Sequence, residues 1–170
     1  GQGFSVTGIQ LAMTLSSLAN GGKLMRPILV KRILDENGNV LRRYDPQPIR
    51  QVVSPKTART VLDLMRRVVA PGGTGTRAHI PEYPVAGKTG TGQKPHLKKR
   101  GYATDMWVST FFGVAPADNP ELAVVVLVDE PKGTRHGGGV YAAPPFREIM
   151  RWSLRHLGIS SPYETGKQIA

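Results

Sequence analysis

The stretch that decides the fold is WVSTFFGVAPADNPELAVVVLVD, residues 107–129 of the chain. It contains two strand-like runs, 107–115 and 122–129, which the turn-forming segment 116–120 separates. Because that connection is too short for a crossover, the two strands must pair antiparallel. Residues 124–128 show no polar alternation, which indicates a strand that is covered on both faces. We therefore expect an antiparallel sheet with helices on each side.

The first 22 residues contain no charged side chain, and apolar residues recur within them at helical spacing. Thr7 and Gln10 fit a capping box that begins a helix, and Asn20-Gly21-Gly22 ends it. The pattern predicts a helix over residues 8–19 that is buried on several sides. Because a surface helix normally carries a charged stripe, we expect part of its cover to come from outside this sequence.

Local patterns predict the remaining elements of an α+β fold. Asn37-Gly38 between two short apolar runs is a hairpin signal, and Ser54-Pro55 is typical of the start of a helix. The elements predicted are a hairpin within 28–43, a helix that ends at Pro71-Gly72-Gly73, a strand over 83–91 and a final helix over 143–157. We expect one domain over residues 1–158 and a loose tail over residues 159–170.

Composition narrows the class of protein. A length of 170 residues suits one domain, and 23 basic against 12 acidic side chains give a formal net charge of +11. Such an excess is typical of proteins with polyanionic partners, but it does not choose among nucleic acid, lipid and acidic polymers. The absence of cysteine excludes disulfides and thiolate metal sites. The longest apolar run, 122–128, falls far short of the ~20 residues that span a bilayer, so we expect a soluble chain.

The segment Gly87-Lys88-Thr89-Gly90-Thr91 is the strongest candidate for a functional site, and we expect it near the end of a strand. Lys88 offers an ammonium group. Thr89 and Thr91 offer hydroxyls that can donate to a substrate carboxylate. Gly90 lacks a side chain at a point where a ligand or another backbone must approach.

The residues of this segment also suggest two other interpretations. A phosphate-binding loop requires a glycine where Glu82 stands and a helix directly after Thr89, where Gly90, Gly92 and Pro95 oppose one. That interpretation is excluded by the spacing. A glycine-rich strand end with a solvated lysine stays open on the residues alone.

Several segments occur in an order and spacing that together are specific. They are Gly1-Gln2-Gly3 with Val6-Thr7 and Ile9-Gln10-Leu11-Ala12, Ala19-Asn20-Gly21-Gly22 before Pro27, Ala86-Gly87-Lys88-Thr89-Gly90-Thr91-Gly92, Phe111-Phe112-Gly113-Val114-Ala115-Pro116, Val128-Asp129-Glu130-Pro131, and Gly138-Gly139 through Ala143-Pro144 and Phe146. Over residues 1–157 the chain resembles the C-terminal portion of the transpeptidase domain of a class B penicillin-binding protein, and 128–131 favours the division-associated type.

This resemblance implies the helix-covered antiparallel sheet of penicillin-binding proteins and serine β-lactamases. It implies a D,D-transpeptidase that cross-links peptidoglycan stem peptides through an acyl-serine intermediate, binds penicillin and needs no cofactor or metal. By resemblance, Lys88 belongs to the proton-relay and electrostatic set. Thr89, Gly90 and Thr91 bind the terminal carboxylate of the stem peptide or β-lactam, and the Thr91 N–H is an oxyanion-hole donor. An extracytoplasmic location follows, with a membrane anchor upstream in the parent protein.

The sequence departs from this family pattern at the nucleophile. The reactive set is Ser-x-x-Lys, Ser-x-Asn and Lys-Thr-Gly, and only the third is present. We therefore expect the isolated chain to be inactive and to form one wall of an active site that the rest of the parent domain completes. Self-association of the chain is a further expected contact. Two alternatives remain: a noncatalytic binding or scaffold module of the same fold, and a fragment of a serine β-lactamase.

The other charged and polar groups predict no second site. Residues 94–100 suggest a solvated basic loop, and neighbouring Asp129 and Glu130 are expected on opposite faces of a strand. Arg147, Arg151 and Arg155 are expected to form an exposed face of the final helix. The four histidines, His79, His96, His136 and His156, lack the spacing of metal ligands. Gly137-Gly138-Gly139 fits either an anion cradle or a flexible connection. No motif for nucleic-acid binding accompanies the basic residues, so we do not expect that partner.

Overall fold

The computed structural model describes Gly3 and residues 5–96, 100–133 and 135–163. Helices and β-strands alternate irregularly along the chain, as in an α+β fold. In chain order they are α1 (Gly8–Ala19), β1 (Lys23–Met25), β2 (Arg32–Leu34), β3 (Val40–Arg43), β4 (Pro48–Gln51), α2 (Pro55–Val69), a 3-10 turn (Thr76–Ala78), β5 (Ala86–Pro95), β6 (Tyr102–Ala115), β7 (Leu122–Asp129), α3 (Gly138–Tyr141) and α4 (Ala143–His156).

The helices begin where their capping residues predict. The Thr7 hydroxyl accepts a hydrogen bond from the Gln10 N–H, and the Gln10 side chain accepts one from the Thr7 N–H, which confirms the capping box of α1. The Ser54 hydroxyl accepts from the Thr57 N–H at 3.1 Å and starts α2, with Pro55 at its first position. Helix α4 ends one residue earlier than predicted.

Two small antiparallel pairs lie between α1 and α2. Strands β2 and β3 form the predicted hairpin, in which the Asp35 carboxylate accepts from the N–H groups of Asn37 and Asn39. Strand β1 pairs with β4, a pairing that the sequence did not predict because both strands are short and every residue of β4 is exposed. Neither pair joins the main sheet.

The main sheet has three antiparallel strands in the order β5–β6–β7. The bounds predicted for β7 are confirmed. The strand predicted over 83–91 instead begins at Ala86 and continues to Pro95, and its partner begins at Tyr102, so both are longer at the same end. Pairing of these two strands along their length outweighs the weak strand propensity of Gly90 and Gly92.

Hydrophobic clusters lie on both faces of the sheet, which confirms the prediction of helices on each side. The cluster beneath α4, here called the α4-side core, contains Phe111, Phe146, Met150 and Leu154, with Val124 and Val126 packed against it. The cluster beneath α1 and α2, the α1-side core, contains Leu15, Leu62, Met65 and Val114, with Phe112 packed against it. Successive residues of one strand, such as Phe111 and Phe112, therefore contribute to different cores.

Helix α1 is less covered than its uncharged sequence predicts. Its buried residues are Leu15 and Ser17, and the Ile9 side chain is 55% exposed. Strand β7 likewise was predicted to be covered on both faces, but Leu127 is 49% exposed. Helix α1 contacts α2, β1, β6 and β7 but stays partly exposed, as expected if part of its cover lies outside this sequence. The prediction that β7 is covered on both faces is wrong at Leu127.

The chain after α4 is held in place as far as the structure describes it. The Tyr83 hydroxyl donates to the Ile159 carbonyl at 2.7 Å, and the Ser161 hydroxyl donates to the Glu82 carbonyl at 2.6 Å. The first residues of the expected loose tail are therefore anchored, and residues 164–170 lie outside the described part. Among the described residues no helix combines the length and apolar character needed to cross a membrane.

The α4-side core predicts a large effect of one substitution. Phe111 is fully buried, and its ring centroid lies 4.6 Å from that of Phe146. We expect Phe111→Ala to lower the free energy of unfolding by about 3–5 kcal/mol in urea denaturation, because it removes apolar contacts and leaves a cavity. The control is Trp152→Ala, because Trp152 is 60% exposed. This variant should change the free energy of unfolding by less than about 1 kcal/mol. Equal effects of the two variants would contradict this assignment of the core.

Candidate functional site

The segment 87–91 begins at the second residue of β5, which forms one edge of the described three-stranded sheet. The prediction that it lies near the end of a strand is wrong, since β5 continues to Pro95. Lys88 and Thr91 are exposed, whereas Thr89 and Gly90 are partly buried. The motif is therefore rigidly paired on one side through β6 and accessible from the other.

Strand pleating sorts the motif onto two faces. Thr89 pairs with Phe111 of the α4-side core, whereas Lys88 pairs with Phe112 of the α1-side core. Directly opposed residues of an antiparallel pair share a face, so Thr89 and Thr91 lie on the α4 side and Lys88 on the α1 side. Groups from both faces can reach one ligand only along the open edge of β5.

Thr89 is supported by a residue that the sequence analysis missed. The hydroxyl oxygens of Thr89 and Thr74 lie 2.9 Å apart and share a hydrogen bond. Thr74 follows α2 in the glycine-containing run 72–76. The glycines of that run predict only the end of a helix, and the threonine beside them is the one signal in the sequence for a supporting hydroxyl.

Thr91 is supported by the glycine segment that enters α3. The Gly138 N–H donates to the Thr91 hydroxyl oxygen at 3.2 Å. A hydroxyl has one hydrogen to donate, so a Thr91 oxygen that accepts from Gly138 still has its own hydrogen for another acceptor. Such an acceptor can be a carboxylate.

Close approach explains why glycine stands at this point of the chain. A Cβ atom on Gly138 would lie 2.1 Å from the Thr110 carbonyl oxygen and 2.5 Å from that of Gly90. A Cβ atom on Gly139 would lie 2.1 Å from the Thr74 carbonyl oxygen. These distances leave no room for a side chain. Gly138 and Gly139 therefore pack closely against neighbouring main chain, whereas a Cβ atom on Gly137 would meet nothing within 4 Å. The anion cradle and the flexible connection both stay predictions.

Lys88 projects from the opposite face. Its ammonium donates to the Thr89 carbonyl at 2.7 Å, and the side chain is exposed. No carboxylate among the described residues forms an ion pair with it. Its positive charge is therefore available to a group that approaches the edge of β5.

The predicted basic loop is only partly a loop. Lys94 lies within β5, and its ammonium is 2.8 Å from both a carboxylate oxygen of Asp129 and one of Glu130. The hydrogen bonds that the Lys94 ammonium donates to Asp129 and then to Glu130 raise the pKa of Lys94 above its usual value. Residues 97–99 of the loop lie outside the described part. Lys94 thus links the two outer strands across β6 and is not a free cation.

Asp129 and Glu130 do not point to opposite faces. Strand β7 ends at Asp129, and Glu130 takes the left-handed conformation, with φ of 48°. That turn breaks the alternation of the strand, so both carboxylates reach the same ammonium group. The prediction of opposite faces is wrong for this reason.

The arginines of α4 are paired with carboxylates. Arg147 and Arg151 lie within 4 Å of Glu148, and Arg155 binds Glu82 at 2.7 Å. A hydrogen bond within Glu82, together with Arg155 and Arg151, lowers the pKa of the Glu82 carboxyl despite its desolvation. Across the part of the chain that the structure describes, no group of three or more potential ligands is arranged to hold a metal ion.

Relatives of known name match nearly the whole chain. The sequence model of the penicillin-binding protein transpeptidase domain matches residues 1–151. Stage V sporulation protein D of Bacillus subtilis is 42% identical over 160 residues, which cover 94% of this chain and 24% of that protein. The probable peptidoglycan D,D-transpeptidase PenA of Neisseria gonorrhoeae is 38% identical over 160 residues, covering 94% and 25%. The chain thus spans about a quarter of the length of these relatives.

Solved structures share the fold. Apo penicillin-binding protein 3 from Mycobacterium tuberculosis matches with a TM-score of 0.82 at 34% identity, over 95% of this chain and 37% of that chain. The complex of the same protein with ampicillin matches with a TM-score of 0.81 at 34% identity, with the same coverage. The sequence model and the solved structures both match most of this chain, and the chain belongs to the penicillin-binding protein transpeptidase domain family.

Proposed function

We propose that this chain forms one wall of the active site of a serine D,D-transpeptidase that cross-links peptidoglycan stem peptides and is acylated by β-lactams. The observation that carries the proposal is the pair of threonine hydroxyls on the edge strand β5, each held by a partner from another segment. The name of the PenA relatives and the ampicillin complex of the Mycobacterium tuberculosis protein support the same activity.

Thr89 and Thr91 are proposed to bind the terminal carboxylate of a stem peptide or β-lactam. Their side chains lie on one face of β5, two residues apart, with the Gly90 main chain between them. A hydrogen bond to a charged group contributes about 1.5–3 kcal/mol, so two such bonds distinguish an anionic ligand from a neutral one. Gly90 leaves the space between the two hydroxyls open.

Lys88 and the Thr91 main chain are proposed to act on the reacting atoms. Lys88 belongs to the proton-relay and electrostatic set, and its exposed ammonium lies on the face opposite the threonines. The Thr91 N–H is proposed as one of two donors to the oxyanion that forms when a serine attacks the substrate carbonyl. Loss of such a donor costs about 10²–10³ in rate in other acyl-transfer enzymes.

The nucleophile is proposed to come from the rest of the parent domain. The serine oxygen attacks the carbonyl carbon between the two D-alanines, the C–N bond breaks, and D-alanine leaves with the proton. An amine of a second stem peptide then attacks the same carbonyl carbon and forms the cross-link, the bond from that carbon to the serine oxygen breaks, and the proton of the amine returns to the serine. None of the serines in this chain begins Ser-x-x-Lys or Ser-x-Asn, so the isolated chain is proposed to be inactive.

The rest of the parent domain is also proposed to cover α1. This helix contains no charged residue, yet Ile9 is 55% exposed. In the isolated chain a second copy is proposed to cover the same face.

We place the parent on the extracytoplasmic side of the bacterial membrane, held by an anchor. We also propose that the parent is of the division-associated type, which the sequence of residues 128–131 favours.

Absence of the nucleophile gives the first prediction of this function. We expect no covalent band when the isolated chain is incubated with a fluorescent penicillin and separated by denaturing electrophoresis. The complete protein, incubated in parallel, should give a band. A stable adduct on the isolated chain would contradict the proposal, since one of its own serines would then be the nucleophile.

The carboxylate role of Thr91 gives the second prediction. In the complete protein, Thr91→Val should lower the second-order rate of acylation by benzylpenicillin about 10- to 100-fold, because a charged hydrogen bond is lost without a large change in volume. Thr104→Val, at an exposed position near the start of β6, is the matched control and should leave the rate unchanged. An unchanged rate in Thr91→Val would refute this role of the hydroxyl.

Exposure of α1 gives the third prediction. In sedimentation velocity, the mean mass of the isolated chain should rise with concentration, because apolar faces of α1 associate. Ile9→Lys should abolish this rise, whereas Leu64→Lys, at an exposed apolar position on α2, should not. A monomer at every concentration would remove self-association from the proposal.

A further inference from the structure

Ser109 is a buried polar residue directly behind the candidate site. It lies in β6, is fully buried and pairs with Thr91 across the strands. Its hydroxyl donates a hydrogen bond to the main-chain carbonyl of His136. A buried hydroxyl that bonds a loop carbonyl fixes the loop, because separating the two groups leaves both without a partner in a dry environment.

A second contact also fixes His136 to β6. The His136 ring stacks on the Trp107 ring, with centroids 5.1 Å apart and planes inclined by 1°. Trp107 and Ser109 lie two residues apart in β6 and therefore on one face of the sheet. Side chain and main chain of His136 are thus both attached to β6.

The attached segment reaches the site two residues later. Gly138 follows His136 along the chain and donates its N–H to the Thr91 hydroxyl oxygen. While Thr91 accepts this bond, its own hydrogen points to a different acceptor. The orientation of the Thr91 hydroxyl therefore depends on where the segment 136–138 sits.

We propose that Ser109 is a positioning residue for carboxylate recognition. By holding the His136 carbonyl against β6, it keeps the Gly138 N–H on Thr91, so that the Thr91 hydroxyl is set as a donor toward an anionic group. This inference rests on the proposed function, in which Thr91 binds the carboxylate. Ser109 itself touches no ligand and acts through Gly138.

The test compares two substrates in the complete protein. Benzylpenicillin carries the carboxylate, and its methyl ester lacks the negative charge. We expect Ser109→Ala to lower the ratio of acylation rates, acid over ester, about tenfold, because the Thr91 donor is no longer held in one orientation. The rate with the ester should stay unchanged, and Ser109→Thr, which keeps a hydroxyl, should restore most of the ratio.

Ser161→Ala is the matched control. Ser161 is also buried, and its hydroxyl also donates to a main-chain carbonyl, that of Glu82, at 2.6 Å. The variant therefore loses the same kind of hydrogen bond away from Thr91. We expect it to lower the melting temperature as Ser109→Ala does and to leave the ratio of acid to ester unchanged.

The outcomes separate this proposal from the proposed function. A wild-type protein that does not distinguish acid from ester would overturn both. A clear wild-type preference that persists in Ser109→Ala, or an equal loss with acid and ester, would overturn the positioning role alone. If Ser109→Ala does not fold, His136→Ala is the test instead, because it removes the stacked ring from the same segment. An unchanged ratio of acid to ester acylation in His136→Ala would overturn the proposal.

Discussion

Strand β6 hydrogen-bonds to a neighbour on each side, and its two adjacent phenylalanines anchor the two cores. Phe111 packs beneath α4 and Phe112 beneath α1 and α2, because successive side chains of a strand point to opposite faces. The motif strand β5 takes its register from β6. The position of every group at the candidate site therefore depends on this one strand and on the burial of its side chains.

An edge strand suits a binding site because it is rigid on one side and open on the other. In β5 the pleat separates the groups by chemistry, with hydroxyls on the α4 face and the Lys88 ammonium on the α1 face. A substrate that lies along the open edge can meet both. The same edge is where the serine from the rest of the parent domain is proposed to approach, so binding and reacting groups would converge from different segments.

Charge alone is a poor guide to the site in this basic chain. Lys94, only three positions after Thr91, is bound by two carboxylates and joins the outer strands. The arginines of α4 are likewise paired with Glu148 and Glu82. Lys88 has no such carboxylate partner among the residues described. The difference lies in where the fold places the acidic residues, because their positions determine which cations stay available to a ligand.

Local signals in the sequence determined the starts of the helices, the hairpin turn, the antiparallel strand order and the Lys-Thr-Gly-Thr motif, because caps, turns and apolar runs act between residues close along the chain. Only the tertiary structure decided what supports the motif. Thr74 reaches Thr89 across 15 positions, His136 reaches Ser109 across 27, and Gly138 reaches Thr91 across 47. No local pattern encodes these contacts, since they exist only once the paired strands bring distant segments to one edge of the sheet.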